Sequence, residues 1–394
     1  PFRPLPLLER LRGLRAVEAE GSRGERRART SPNRERPTPL AGRLRRMIRD
    51  FHMRSGVFSG VRMPDLTDAW VRPALAFARD RARRLGPWDL ALSSAGPYTA
   101  HLVAMPLRQA ALAGRWIAEY RDLWTDNAMC SGLFPFSVVE QVRERKVLRT
   151  ADALVAVSDP MAERLRRVTD APVHVIYNGF PRSEFRPPIR ETTPATVASA
   201  DPAGRPMRIV FTGSLKTQQR DVEGLLRGLR IARARGAPLI LEIAGSGHGS
   251  FLDIAERCGT IDAIRHLGRL DRAAATDLQR SADVLLSIEC DDPTAGVLTT
   301  KLFDYLAAGP PIVVCGPRGE LTRIVEATGR GTWLGDDVEA IADALVRLTQ
   351  RRLILAPEPD SVLRFTREHQ ADRMRGVIER VTPRTATADR KSVV

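Results

Sequence analysis

The chain has 394 residues, 62 basic and 47 acidic, for a net charge of +15, long enough for two domains with separate cores. Residues 1–60 hold 15 Arg against 6 Asp or Glu, so +9 of the charge lies there. No zinc-finger spacing or aromatic-and-basic motif goes with it, which argues against a specific nucleic-acid reader. A basic face on an anionic membrane surface is the better use of that charge.

Four cysteines, Cys130, Cys258, Cys290 and Cys315, form no CxxC pair. They read as thiols of a reduced compartment, with no metal site expected. No apolar run approaches the roughly 20 residues of a bilayer-spanning helix. The chain opens on Pro1 without a signal-peptide pattern, so a cytoplasmic location is expected, with a natural start elsewhere than Pro1.

In chain order, residues 1–60 are Arg- and Pro-rich, poorly defined, and show no glycine-rich strand–helix turn. Residues 61–180 alternate: a helix in "DAWVRPALAFARDRARRLG", a strand in "WDLALSS", a helix in "PYTAHLVAMPLRQAAL", then a strand in "RWIAEYRDLW". A helix in "FSVVEQVRERKVLRTA" follows, then strand, helix and strand through "DALVAVS", "PMAERLRRV" and "VHVIYNG". Residues 181–207, rich in Pro, Thr and Ser, form a linker. Residues 208–355 alternate again, from "RIVFTGS" through "LILEIAGSG", "IRHLGRL" and "ADVLLSI" to "PIVVC". A C-terminal helix over 356–383 includes a long amphipathic stretch from Asp360 to Val381, and 384–394 is a tail. This alternation predicts an α/β protein of two Rossmann-like, doubly wound domains facing a cleft, with ligands at the carboxyl ends of the strands.

Three loops of the second half carry chemistry. "FTGSLKTQQRD" sets Gly213 and Ser214 at a strand end, followed by Lys216 and Arg220. These read either as solvated cations or as charges for a diphosphate. "IAGSGHG" places Gly245 and Gly247 after a strand, a weak half-fingerprint by itself. "GVLTTKLFDYLAAGPPIVVC" is a loop, a short helix and a buried strand. Thr299 or Thr300 is expected to cap the helix and Gly309 to close it. A helix N-terminus binds phosphate, Lys301 adds a point charge, and Asp304 one turn on suits a ribose diol. The alternative is an i,i+3 surface pair of Lys301 with Asp304. Only four of the 62 basic residues are lysine, Lys146, Lys216, Lys301 and Lys391, and two of these stand in such loops.

In the first half, Arg121, Asp122 and Asp126 sit at one strand's carboxyl end, and Ser93, Ser94 and His101 at another. Asp122 suits an acceptor hydroxyl, as orienting group or base. His101 reads as a satisfied helix histidine before an acceptor-side one, and Arg121 with Asp122 can also be a structural pair.

The order and spacing of "DLWTDN", "ADALVAVSDPMAERL", "VIYNGF", "FTGSL…RD", "AGSG" and "TTKLFDYLAAGPPIV" resemble the group 1 (family 4) glycosyltransferases of the GT-B fold, over roughly residues 65 to 380. The resemblance implies a retaining transferase using a nucleotide-diphosphate sugar. It assigns catalytic roles to Asp122, Lys216 and Arg220, and donor binding to Gly213, Ser214, Gly245, Gly247, Thr299, Thr300, Lys301 and Asp304. Ser94, His101 and Arg121 fall on the acceptor side. No cofactor is implied, and fixed cations with helix N–H groups stabilise a leaving diphosphate without a metal. A cell-surface polysaccharide or lipid-linked glycan is the acceptor expected of the family.

Two departures stand out. The family often carries glutamates eight positions apart, but eight before Asp304 is Gly296, so the group that orients the donor sugar is either missing or supplied by Glu289, Asp291 or Asp292. The family's opening strand and glycine loop are not visible. Rival readings are a degenerate nucleotide-binding or partner subunit, a nucleotide-sugar epimerase and a nicotinamide oxidoreductase, the last opposed by the lack of GxGxxG.

Overall fold

The structure, a computed structural model, describes residues 68–127, 134–186, 195–196, 205–215, 220–350, 354–355 and 358–382. The Arg-rich segment 1–60, any opening strand or glycine loop within it, Cys130, Lys216 and the 384–394 tail lie outside the described residues.

The first half begins with α1 (Asp68–Leu85), β1 (Trp88–Ala95), α2 (Thr99–Gln109) and β2 (Ala113–Tyr120). It continues through α3 (Phe136–Thr150), β3 (Ala153–Ala156), α4 (Asp159–Arg166) and β4 (Val173–Val175). The four strands are parallel in the order β1-β2-β3-β4. β2 shows why a parallel strand reads as a continuous apolar run. Trp116, Ala118 and Tyr120 pack on the helices of one face, while Ile117 joins a second cluster on the other.

The second half contains β6 (Met207–Thr212), α5 (Val222–Ala234), β7 (Leu239–Ala244), α6 (Gly249–Arg257), β8 (Ile264–His266), α7 (Arg272–Arg280) and β9 (Val284–Ile288). Then come α8 (Lys301–Ala308), β10 (Ile312–Cys315), α9 (Glu320–Ala327), β11 (Gly331–Gly335) and α10 (Val338–Thr349). A two-residue pair, β5 (Ala195–Thr196) with β12 (Ile354–Leu355), is antiparallel. The six-stranded sheet runs β11-β10-β9-β6-β7-β8. Strand order therefore reverses between β6 and β9, where a crevice opens at the carboxyl ends. Asp221, Asp271 and Asp337 cap α5, α7 and α10 through their carboxylates, each satisfying an otherwise unpaired N–H.

The expected single C-terminal helix is two, α11 (Pro359–Leu363) and α12 (Arg367–Val381). Thr366 breaks the run and caps α12, its Oγ1 accepting from His369 N. At the break the backbone pairs with Phe180, which donates to Phe365 O while Arg367 N donates to Phe180 O. Beyond it Val377, Met374 and Ile378 pack under Ile117, Val155 and Ile176. The last helix thus covers the open face of the first sheet and ties the two halves together. The start of the expected linker also has a fixed place: Arg182–Glu184 forms a 3-10 turn, and Phe185 stacks on Phe180.

Candidate active site

Every loop singled out in the second half lies at the carboxyl edge of the six-stranded sheet, and the strand reversal brings two of them together. Arg220, after β6, donates to the carbonyl of Ile288 at the end of β9, so its guanidinium spans the switch point. Lys301, the first residue of α8, lies 4.7 Å over the Phe211 ring and 3.5 Å from the carbonyl of Ser214. Burial pulls the Lys301 pKa down to about 8, and the nearby Arg220 charge pulls the same way. Burial also lowers Arg220, against the attraction of Cys290, Glu289 and Asp291. Two cations gathered and desolvated in one crevice disfavour the empty state electrostatically, and an anion of two charges relieves it.

Glycine makes the approach possible. Gly213 has φ +112°, and a Cβ there would meet the Lys301 side chain, its Nζ at 2.5 Å. Gly245 has φ +148°, and a Cβ would run into the backbone of Gly213. Gly247, at φ +75°, completes the turn into α6. The loop after β7 supplies one residue not anticipated, His248, whose Nε2 donates to Gly213 O at 2.7 Å. Its Nδ1 is buried without a partner. Burial lowers the pKa of the ring, against the bond to Gly213, and His266 and Lys301 lower it further. The "GSGHG" glycines mark the loop in the sequence, whereas the imidazole bracing Gly213 exists only in the folded loop.

The helix entrance differs in detail from expectation. Thr300 occupies the N-cap position with helical backbone angles and makes no side-chain cap bond. The N–H groups of Leu302 and Phe303 turn back to the carbonyls of Thr299 and Thr300 instead. Gly309 does close the helix, at φ +115°. No ion pair joins Lys301 to Asp304 among the described residues. Asp304 faces away, onto a cavity of about 90 Å³ lined by Glu184, Arg272, Gln279 and Arg280. Burial raises its pKa, with Arg272 and Arg367 opposing and Glu184 adding. Ser214 is exposed.

The three acids named as alternatives to a missing glutamate at Gly296 are each engaged elsewhere, which leaves the alternative that the group is missing. Glu289 is buried, with its carboxylate within 3.4 Å of the N–H groups of Cys290 and Thr322, so it serves the start of α9. Asp291 accepts from Asp221 N at 2.8 Å. Asp292 caps the turn Pro293–Ala295 through Thr294 and lies 3.5 Å from Arg164. Gly296 itself, at φ +69°, sits against the first half. A Cβ there would lie 2.9 Å from both Met161 N and Ser158 Oγ.

In the first half, Arg121 and Asp122 line a pocket with Met161 and with Ala295, Gly296 and Leu298 of the second half, one that neither Lys301 nor Arg220 lines. Arg121 donates to Asn178 Oδ1 at 2.7 Å. Asp126 instead pairs with Arg164. The acceptor-side placement of His101 is overturned. The ring is fully buried, bonded through Nδ1 to Ser93 Oγ at 2.8 Å and packed on Tyr120. Burial pushes its pKa down to about 3, so it is a neutral core group. Its polar partner is Ser93, which also accepts from Trp116 Nε1. Ser94 is exposed on the edge strand and does not line the crevice. Lys216 lies outside the described residues.

The halves are joined around this crevice by a second cluster. Glu320 Oε1 accepts from Asp159 N at 2.9 Å and lies 2.8 Å from the Tyr177 hydroxyl, which is also 2.8 Å from Asp159 Oδ2. Arg323 bridges Asp159 and Glu320.

Comparison with known proteins agrees with this geometry. Residues 206–351 match the family model described as glycosyl transferases group 1, and residues 15–184 match glycosyltransferase family 4. A D-inositol 3-phosphate glycosyltransferase of Saccharomonospora viridis is 28% identical over 258 residues, 61% of this chain and 57% of that relative. The chain thus spans less than two thirds of that curated relative's length. Among solved structures, Anabaena Alr3699/HepE in complex with UDP superposes with a TM-score of 0.55 at 14% identity, covering 78% of this chain and 82% of that one. The lipopolysaccharide outer core galactosyltransferase WaaB gives 0.53 at 13%, covering 79% and 81%. At such identities these neighbours speak for the fold, two parallel α/β domains of GT-B type. With both halves matched by their family models, the chain belongs to the group 1, family 4 glycosyltransferases.

Proposed function

We propose that the protein transfers a sugar from a nucleotide-diphosphate donor to a glycan or lipid-linked acceptor, with retention and without a metal, in building a cell-envelope polysaccharide at the inner face of the membrane. The observation that carries this reading is the convergence of Lys301 and Arg220 at the β6/β9 reversal, two desolvated cations beside the start of α8. As the anomeric bond breaks, charge develops on the β-phosphate, and cations already fixed there stabilise it without reorganising. Lys216 follows the same strand in sequence and is assigned to the diphosphate with them. The family resemblance assigns the ribose to Asp304, whose carboxylate lines the cavity beside Arg272 and not the Lys301 side of the helix, and Asp122 orients the acceptor hydroxyl from the pocket beside Gly296. UDP bound to the Anabaena neighbour supports a donor of this class.

Thermal unfolding with UDP, GDP and dTDP tests the reading. At 100 times its Kd, a ligand binding only the folded state contributes about 2.7 kcal/mol, and Lys301→Ala is expected to cut this to about 0.4–1.4 kcal/mol at the same ligand concentration. No shift with any nucleoside diphosphate refutes a donor site. The anomeric configuration of the product reports retention, and activity after chelation reports the metal question.

One observation favours a second reading, a degenerate subunit that binds nucleotide without transfer: Gly296 stands where the family carries a carboxylate, and Glu289, Asp291 and Asp292 are each bonded elsewhere. Nucleotide binding without turnover of any labelled donor selects that reading.

A further inference from the structure

α3 is built with its polarity reversed. Its inward side carries two glutamates, Glu140 at 1% exposure and Glu144 at 7%, ahead of Val147 and Leu148. Glu144 is held by the N–H and hydroxyl of Thr125, in the loop after β2. The valines of the first two turns point to solvent instead: Val138, Val139 and Val142 are each nearly half exposed. Phe136 at the helix start is also exposed, and Phe134 just before it is 78% exposed. An apolar strip concentrated on one helix is unlike the scattered single residues of an ordinary surface.

The same outward sector changes character along the helix. Arg145, Lys146 and Arg149 follow Val138 and Val142 at helical spacing, and all three are exposed. Both acids of α3 are turned inward, so this sector carries cations and no anion. It is apolar for two turns and cationic for the next two, over about 20 Å of helix. An anionic bilayer surface complements that order: the apolar end enters the headgroup–acyl boundary, while the long basic side chains reach lipid phosphates.

We infer that the outward face of α3 is a docking surface for an anionic membrane, entered by Phe134, Phe136, Val139 and Val142 and held electrostatically by Arg145, Lys146 and Arg149. The bond from Thr125 to Glu144 fastens this helix to the loop that begins with Arg121 and Asp122. A lipid-linked acceptor would then be met at the bilayer surface on the acceptor side of the crevice. That last step rests on the proposed function, whereas membrane docking does not.

The test is co-sedimentation of the full chain with vesicles of phosphatidylcholine alone and of phosphatidylcholine with one quarter phosphatidylglycerol. Wild type should partition to the anionic vesicles. Val139→Glu with Val142→Glu should lower that partition at least tenfold, and Val139→Ser with Val142→Ser by less. Arg145→Glu with Lys146→Glu should also weaken it about tenfold, an effect that shrinks as salt is raised, while the valine effect persists. Residues 1–60 are present in every variant, so the differences report on α3. Unchanged melting temperature and unchanged UDP shift show that each variant is folded. Vesicle binding equal to wild type in all three variants overturns the proposal, as does equal binding of wild type to neutral vesicles. A dimer lost in the valine variants without change in vesicle binding overturns it in favour of an interface between copies. Vesicle binding with no UDP shift in wild type sinks the proposed donor chemistry and leaves this inference standing.

Discussion

Ser158 Oγ donates to the carbonyl of Gly296 at 2.8 Å while accepting from Met161 N. The start of α4 in the first half is therefore seated on the loop of the second half where the family carries a glutamate. The loop is held further by Arg164, which reaches Thr294 Oγ1 at 3.0 Å. Gly296→Glu restores the family residue but needs a left-handed backbone at φ +69° and a Cβ 2.9 Å from two atoms of that interface. The expected outcome is a loss of about 1–3 kcal/mol of stability with no gain in transfer, read by thermal unfolding and donor turnover together.

Lys301→Ala should raise the Kd of a nucleoside diphosphate about 10- to 100-fold, the range of a charge-assisted hydrogen bond. The wild-type affinity should itself fall as pH rises through about 8, because the ammonium that binds the anion is then lost. The variant should show a flatter profile. In the ligand-free protein the sign is opposite. A lysine depressed from 10.5 to about 8 by burial binds its proton less well when folded, so stability rises with pH between those values. Calorimetric titration across pH 7 to 9 checks the binding arm.

Asp122→Asn should lower sugar transfer by a factor of about 100 or more, as expected for loss of a group that handles the acceptor proton. Nucleotide affinity should stay within twofold, since the pocket that Asp122 lines includes neither Lys301 nor Arg220. Equal losses in binding and turnover would assign it a structural role.

His101 should leave a signature in stability. Its folded pKa of about 3 lies below the ordinary histidine value of 6.5, so the unfolded chain binds the extra proton and stability falls as pH drops below about 6.5. The slope from this one group is at most about 1.4 kcal/mol per pH unit. His101→Gln, which keeps an acceptor for Ser93, should reduce that slope in denaturant melts between pH 4 and 6.5. An unchanged slope would show that other groups govern acid unfolding.

Much of this protein is legible in its amino-acid order. The strand–helix alternation, the glycines after β6 and β7, and the run from Thr299 to Cys315 follow from local periodicity and turn chemistry, and the elements lie close to where those patterns place them. Lys301 and Arg220 were readable as candidates because lysine is rare here and both follow strand ends.

What the sequence by itself could not decide are relations across long separations. Whether Ser93 or Ser94 meets His101 depends on which side of β1 is buried. Whether Asp291 is free depends on Asp221, 70 positions away. The same holds for His248 on Gly213 and for α12 covering the first sheet. Local preferences act over a few residues, whereas these contacts exist only once the sheets are assembled and the strand order reverses at β6 and β9. The inverted polarity of α3 shows the limit most plainly: its periodicity marks a helix, but packing alone turned the glutamates in and the valines out.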